Sequence, residues 1–137
     1  MGTRAPRFLF VRLVQQEDNS DNATEKPTIG WRLVAPNNRE LGHSAELYDG
    51  YAACREAAIQ LQAKLDAAVA TMAFDDDAQW RWELALNDHA AAVCSRSYWR
   101  RVECEYGLGQ FLANVRSATV MKDLRTVRRL TLERGRR

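Results

Sequence analysis

The sequence predicts an α+β fold in which two pseudo-symmetric halves share one antiparallel sheet, with both helices on one face of it. The first observation is a repeat, because residues 31–54 and 82–104 follow the same pattern. The second is that each copy alternates apolar and polar residues, as strands do, before a helix-like apolar stripe. The third is size, because a half of about 55 residues is near the limit at which one core becomes marginal. We therefore expect one domain over 1–137, with internal repeats at approximately 8–66 and 67–127.

Five matched pairs define the repeat. At a spacing of fifty-one positions the matches are Trp31 with Trp82, Leu33 with Leu84 and Ser44 with Ser95, and at fifty positions they are Tyr48 with Tyr98 and Cys54 with Cys104. The change in spacing predicts that the second copy lacks one residue between its Ser and its Tyr.

The first half reads as three strands and a helix. Strands are predicted at 8–14, 29–35 and 40–47, with a polar loop at 15–27 between the first two. Asp49 is positioned to cap the helix that follows, by accepting hydrogen bonds from its free N–H groups. The helical spacing predicts a buried face made of Cys54, Ala57, Ala58, Leu61 and Leu65.

The second half repeats this order. Strands are predicted at 69–74, 80–86 and 91–98, an acidic turn at 75–77, and a helix at 101–116. The buried stripe of that helix is expected to comprise Cys104, Leu108, Phe111, Leu112 and Val115. Alternation places Trp80 and Trp82, like Trp31, on the core side of the sheet.

The C-terminal region is ambiguous and basic. Residues 119–130 fit either a strand or a helix, and residues 128–137 form a basic tail. The positive charges of this region are Lys122, Arg125, Arg128, Arg129, Arg134, Arg136 and Arg137.

The pattern resembles the YegP-like family, a small domain of unknown function. The signature is an aromatic strand (WRLVAPN at 31–37, WRWELALN at 80–87), a return strand ending in Ser and Tyr, and a helix with Cys near its start. The resemblance covers roughly 8–127. It implies a tandem of two β3-αβ units on one antiparallel sheet, with the C-terminal strands exchanged between the units. A second chain is then not required, so we expect a monomer or a weak homodimer.

Composition narrows the class of protein. The net charge of +2, a hydrophobic fraction of 46% and a charged fraction of 28% are ordinary for a globular protein. The sequence shows neither an apolar signal segment nor an apolar run of about 20 residues, so we expect a cytoplasmic protein without membrane contact. The three cysteines lack CxxC spacing and predict packing rather than disulfides.

The sequence predicts no catalytic residues, no cofactor and no metal site. His43 and His89 occupy non-equivalent positions and are interpreted as solvent-facing or hydrogen-bonded. Ser44 and Ser95 lack a nucleophile elbow and are expected to satisfy backbone groups. The acidic turn at 75–77 lacks the spaced oxygens and the glycine of a calcium loop.

The candidate binding residues are an exposed aromatic and the basic side chains. Trp99, next to Arg100 and Arg101, is predicted to be exposed and, together with the basic region, to reach an anionic partner. The alternative, that an arginine-rich end is merely solvated, stays open. We therefore predict a non-enzymatic binding or interaction module with an unknown protein partner. The alternative is a nucleic-acid or ribosome-associated protein that uses the basic C-terminal segment.

Overall fold

The computed structural model describes residues 5–15 and 28–129. Two helices, one short 3-10 helix and seven strands occupy this part of the chain. In chain order they are β1 (Arg7–Gln15), β2 (Ile29–Val34), β3 (Glu40–Ser44), α1 (Tyr51–Ala63), the 3-10 helix (Leu65–Ala67), β4 (Val69–Phe74), β5 (Trp80–Leu86), β6 (His89–Cys94), α2 (Arg101–Ser117) and β7 (Thr119–Arg129). The fold is therefore α+β with one sheet, as predicted. The predicted loop at 15–27 lies almost wholly outside the described residues.

The sheet has the strand order β4-β5-β6-β3-β2-β1-β7. All neighbouring pairs are antiparallel except β1 and β7, which are parallel, with Arg7 opposite Thr119 and Gln15 opposite Arg129. The prediction of a wholly antiparallel sheet is therefore wrong, and the sheet is mixed. A tight hairpin turn imposes antiparallel pairing, but no hairpin joins β1 to β7: α2 carries the chain from β6 across four strand positions to β7, and this leaves the β1–β7 pair free to be parallel.

Residues 119–130, which the sequence left as strand or helix, form a strand to Arg129. Val120 and Leu124 of this strand pack against the core. The Tyr51 hydroxyl, at the start of α1, donates a hydrogen bond to the carbonyl oxygen of Lys122 at 2.8 Å. Apolar contacts and hydrogen bonds therefore fix β7 as the outer strand beside β1.

One apolar cluster joins the sheet to both helices. Trp31 of β2 and Trp82 of β5 are each 1% exposed, as predicted, and Phe111 of α2 lies between them. The Phe111 ring centroid is 6.3 Å from that of Trp31 and 4.7 Å from that of Trp82. Cys54 of α1 belongs to the same cluster. The two tryptophans therefore share one core, in which a single phenylalanine contacts both of them.

The second helix, α2, begins at Arg101 as predicted, but the start of α1 differs from the prediction. The residue before α1 is Gly50, which makes no side-chain capping bond, so the predicted cap by Asp49 is wrong. The helix begins two residues after Asp49, which places that carboxylate outside the capping position. The predicted buried stripes are confirmed at Cys54, Ala58 and Leu61 in α1. In α2 they are confirmed at Cys104, Phe111 and Val115.

The return strands end earlier than predicted. β3 ends at Ser44 and β6 at Cys94, and bends follow both strands. Tyr48 and Tyr98 then form isolated bridges with Ile29 and Trp80. A short apolar run cannot show from sequence where a strand gives way to a bend that still pairs with its neighbour.

The hydrogen bonds that the backbone N–H groups of Trp31 and Trp82 donate correct the predicted alignment of the two copies of the repeat. The backbone N–H of Trp31 donates to Ser44 Oγ at 3.2 Å, and that of Trp82 donates to Cys94 Sγ at 3.4 Å. Cys94, not Ser95, therefore occupies the position in β6 that Ser44 occupies in β3.

The register locates the change in spacing. Arg32 pairs with His43, and Glu83 pairs with Val93. The second hairpin is thus one residue shorter, and the predicted loss between Ser95 and Tyr98 is wrong. Short turns tolerate length changes better than a strand whose register fixes its buried face.

The two edges of the sheet differ in chemistry. β4 (VATMAF) carries no charged residue, whereas β7 (TVMKDLRTVRR) carries charges of both signs. No helix within the described residues is long and apolar enough to cross a membrane.

Candidate binding surface at the start of helix α2

The predicted binding residues fall into two separate places. Trp99 and Arg100 precede α2, and Arg101 is its first residue, beside the end of the sheet at β5. Lys122 and Arg125 lie on β7, at the opposite edge. Five strand spacings separate β5 from β7, which corresponds to about 24 Å. The structure therefore does not gather these residues into one site.

Two of the remaining basic residues lie at the end of β7. Arg128 and Arg129 end β7 and pair with Val14 and Gln15, but their side chains are not among those described. The tail residues Arg134, Arg136 and Arg137 lie outside the described residues.

Three large apolar side chains at the start of α2 form an exposed surface, here called the apolar patch. Trp99 is 70% exposed, Val102 60% and Tyr106 70%. Spacings of three and four residues align them along one side of the helix start. They line a groove of about 630 Å³ together with Arg96, Ser97, Tyr98 and Glu103. The sequence predicted the exposed Trp99, but Val102 and Tyr106 were not identified.

Arg101 does not join Trp99 in this groove. Its guanidinium lies 5.8 Å from the ring centroid of Trp80, and its Nε is 3.5 Å from the Glu105 carboxylate. The Arg101 charge is therefore already engaged by an aromatic ring and a carboxylate, both of which hold it away from the patch.

A second depression, here called the cationic cleft, adjoins the apolar patch. It has a volume of about 290 Å³ and lies between the β2–β3 turn and α2. Among the residues that line the cationic cleft are Arg39, Glu40, Arg96, Tyr98, Gly107 and Gln110. Arg96, Tyr98 and Tyr106 line both depressions, so the two are adjacent.

Tyr98 is held against the backbone of α2. A Cβ atom added at Gly107 would overlap the Tyr98 hydroxyl oxygen and come within 2.8 Å of its Cζ. Burial is the main cause that raises the pKa of Tyr98, and the positive charges of Arg96 and Arg39 partly oppose that rise. The phenol therefore stays protonated at neutral pH and can donate a hydrogen bond.

The cysteines are packing residues, as predicted. Cys54, Cys94 and Cys104 are buried free thiols. Burial raises the pKa of Cys54 to about 12, and burial followed by the neighbouring Cys94 raises that of Cys104 to about 11. A thiol with so high a pKa carries almost no thiolate at neutral pH and is a poor nucleophile.

The residues considered for catalysis are engaged in structural roles. His43 Nδ1 lies 3.0 Å from the carbonyl oxygen of Ser44, and His89 is exposed, so the interpretation of both histidines is confirmed. Ser44 accepts a backbone N–H, as predicted, but Ser95 donates to the Glu40 carboxylate at 2.5 Å, so its predicted backbone role is wrong. The side chain of Ser95 meets Glu40 because β3 and β6 are neighbours, which the sequence of either half does not show.

The acidic turn is fixed by its own hydrogen bonds. The Asp75 carboxylate accepts the backbone N–H groups of Asp77 at 2.9 Å and Gln79 at 3.0 Å. Among the described residues, no cluster of three or more His, Cys, Asp or Glu side chains could hold a metal ion.

The sheet face opposite the helices carries a groove of about 400 Å³. Val11, Arg32 and His43 are among the residues that line it. Arg32 forms an ion pair with Glu40 there, with Nε and Oε1 3.5 Å apart. Because the Arg32 charge is already paired with Glu40, this groove is a weaker candidate for an anion than the cationic cleft.

Two solved structures share this fold. One is the solution structure of yegP from E. coli, a protein of unknown function, with a TM-score of 0.61 and 19% identity over 88% of this chain and 95% of that one. The other is UPF0339 protein SO3888 from Shewanella oneidensis, with a TM-score of 0.54 and 12% identity over 88% of this chain and 92% of that one. No protein-family model and no curated protein matches the sequence. At these identities the likeness confirms the YegP-like resemblance at the level of the fold.

Proposed function

We propose that this protein is a non-enzymatic binding module, and that the apolar patch is its binding surface for an apolar segment of a protein partner. The observation that carries this proposal is the exposure of Trp99, Val102 and Tyr106 beside one groove. The structural neighbours, which are proteins of unknown function, are consistent with an uncharacterised module.

The residue types of the patch favour protein binding. Tryptophan and tyrosine are enriched in interfaces and dominate binding energies where they enter a pocket. An exposed cluster of large apolar side chains raises the free energy of the isolated protein in water, and a partner that covers it removes that cost. Support for a non-enzymatic role comes from His43 and Ser44, whose hydrogen bonds to the backbone leave no nucleophile–base pair between them.

A peptide selection tests the role of the patch. Peptides from a random library displayed on phage, selected on the intact protein, are expected to bind at the patch. Trp99→Ala should weaken binding of the selected peptides by about 30-fold or more, since truncation of an aromatic anchor costs about 2 kcal/mol or more. Titration calorimetry with the selected peptides measures the loss.

Val69→Ala is the matched control, because Val69 is also a large exposed apolar residue but lies on β4, outside the patch. Both variants should keep the parental melting temperature, since both side chains are mostly in water. Equal affinities for parent and Trp99→Ala would contradict the proposal.

The second candidate function is nucleic-acid association through β7. The observation that favours it is the exposure of Lys122 and Arg125 on the outer strand of the sheet, although Asp123 between them is also exposed. Cationic side chains along an edge can contact successive phosphates, and the strand continues towards the basic tail.

Retention on immobilised single-stranded RNA tests this candidate. Binding through phosphates should fall steeply between about 50 and 200 mM salt, because counterions are released on binding. The double variant Lys122→Gln with Arg125→Gln should reduce the slope of log affinity against log salt by about two, which corresponds to two lost phosphate contacts. The control Lys64→Gln, at the exposed end of α1, should leave that slope unchanged. If retention on RNA does not depend on salt, or if the double variant is retained as strongly as the parent, β7 is not a nucleic-acid-binding surface.

We also infer that the two halves derive from one duplicated unit, with the strand after each helix exchanged. The matching bonds from the N–H groups of Trp31 and Trp82 support this inference. So do the positions of β4, which follows α1 and pairs with β5, and of β7, which follows α2 and pairs with β1.

A further inference from the structure

The register of the sheet brings Arg39 and Arg96 to one place. Gly42 of β3 pairs antiparallel with Cys94 of β6. Arg39 lies three residues before Gly42 and Arg96 two residues after Cys94, so antiparallel pairing carries both to the same end of the strands. The two arginines thus come from different halves of the chain and meet at the cationic cleft.

These two arginines differ from other arginines of the protein in their partners. Arg32, Arg101 and Arg116 each form an ion pair with a carboxylate, at 3.5, 3.5 and 3.0 Å. Among the described residues, neither Arg39 nor Arg96 has a side-chain hydrogen bond or an ion pair. Two unpaired guanidiniums at one depression attract an anion.

Glu40 also lines the cleft but does not neutralise it. Its carboxylate accepts the Ser95 hydroxyl at 2.5 Å and pairs with Arg32 at 3.5 Å. Because the Glu40 charge is already paired with Arg32, the cleft keeps a positive potential from Arg39 and Arg96, which attracts an anion. The proposed occupant of the adjoining patch is a protein segment, and the acidic group that a protein segment carries is a carboxylate.

Tyr98 adds a hydroxyl donor at the cleft. Within the described part of the chain, its hydroxyl oxygen has no hydrogen-bond partner, and its ring is fixed against Gly107. A guanidinium and a phenol hydroxyl provide charge-assisted hydrogen bonds of the kind that bind carboxylates most tightly.

We propose that the cationic cleft is a carboxylate-binding site, and that the protein segment bound on the apolar patch carries an acidic group next to its apolar anchor. The two depressions are adjacent, since Arg96, Tyr98 and Tyr106 line both, so a carboxylate and an apolar body joined by a short linker can reach both at once. This inference deepens the proposed function and rests on it for the apolar half of the ligand.

Two small probes separate the two parts of the site. N-acetyl-tryptophan and N-acetyl-tryptophanamide share one apolar body, but only the first has a carboxylate. We expect the acid to bind the intact protein about 10-fold more tightly than the amide, as a charge-assisted hydrogen bond allows. Amide shifts of Gly107 and Gln110 in ¹⁵N NMR titrations report on the cleft, and the Trp99 indole reports on the patch.

Substitutions in the cleft then test whether Arg39 and Arg96 cause the difference in affinity between the acid and the amide. Arg39→Gln and Arg96→Gln should each reduce the preference for the acid to about twofold or less and leave the amide unchanged. Arg12→Gln is the matched control, because Arg12 is also exposed but lies on β1 and lines neither the cleft nor the groove at the patch. Thermal melts are expected to show that all three variants fold as the parent does.

The outcomes distinguish the two proposals. Equal binding of acid and amide, an acid preference that survives both cleft variants, or no response of the cleft amides to the acid overturns the carboxylate site. An acid preference that Arg39→Gln removes but Trp99→Ala leaves intact supports the cleft and contradicts the patch as the binding surface.

Discussion

Replacement of Phe111 by alanine is expected to lower the free energy of unfolding by about 3–5 kcal/mol, the range for an aromatic side chain deleted from a packed core. Phe111 is fully buried and touches both Trp31 and Trp82. Its ring also lies over Gly42, where an added Cβ would be 2.7 Å from the ring. The cavity would therefore open beneath both tryptophans at once.

Urea denaturation followed by tryptophan fluorescence and by circular dichroism measures this loss. Both signals should move together, because one core implies one cooperative transition. Leu112→Ala, at the neighbouring and only partly buried position in α2, is the control and should cost clearly less. Two separate transitions, of which Phe111→Ala shifts one, would show that the halves fold as independent units.

Gly107→Ala is expected to destabilise the protein by about 1–3 kcal/mol, the usual cost of overpacking. In a free helix the same change stabilises by about 1 kcal/mol, because alanine has the higher helix propensity. Here the new methyl group would overlap the Tyr98 hydroxyl, and the ring cannot move away easily because it packs against the core and its backbone is bridged to Trp80. The steric overlap therefore outweighs the gain in propensity.

Gly109→Ala, two residues along the same helix, is the matched control. Nothing lies within 4 Å of a Cβ at Gly109, so this variant should gain about 1 kcal/mol. Tyr98→Phe should recover part of the stability lost in Gly107→Ala, because it removes the hydroxyl oxygen that overlaps the new methyl group. The recovery is partial, because the ring atom Cζ is still close to that methyl group. If both glycine variants are equally stabilised, Tyr98 does not lie against the helix as described.

The local pattern of this chain predicted most of the fold. Alternation placed Trp31 and Trp82 on one buried face, and helical spacing found Cys54 and Phe111. These inferences need only the period of one element. The parallel pair of β1 and β7 was beyond such reasoning, since it joins strands more than a hundred residues apart in sequence.

The sequence predicted a residue of the candidate site only where its own type and its immediate neighbours indicated a binding role. Trp99 stands out as an aromatic beside two arginines, and its exposure was predicted. Arg39 and Arg96 carry no local pattern, and their meeting depends on the pairing of β3 with β6 between the two halves. Ser95 was misread for the same reason, because its partner Glu40 lies in the other half.

The pairing of β1 with β7 has a consequence for biosynthesis. The strand β1, with Phe8 and Phe10 among its buried residues, is made before its outer neighbour and can pair with it only after Thr119–Arg129 has been translated. Until then one side of β1 offers unpaired backbone groups, which is the state in which nascent chains recruit chaperones or associate with one another. The sheet is thus completed only once β7 has been made, and contacts of such long sequence separation slow this step.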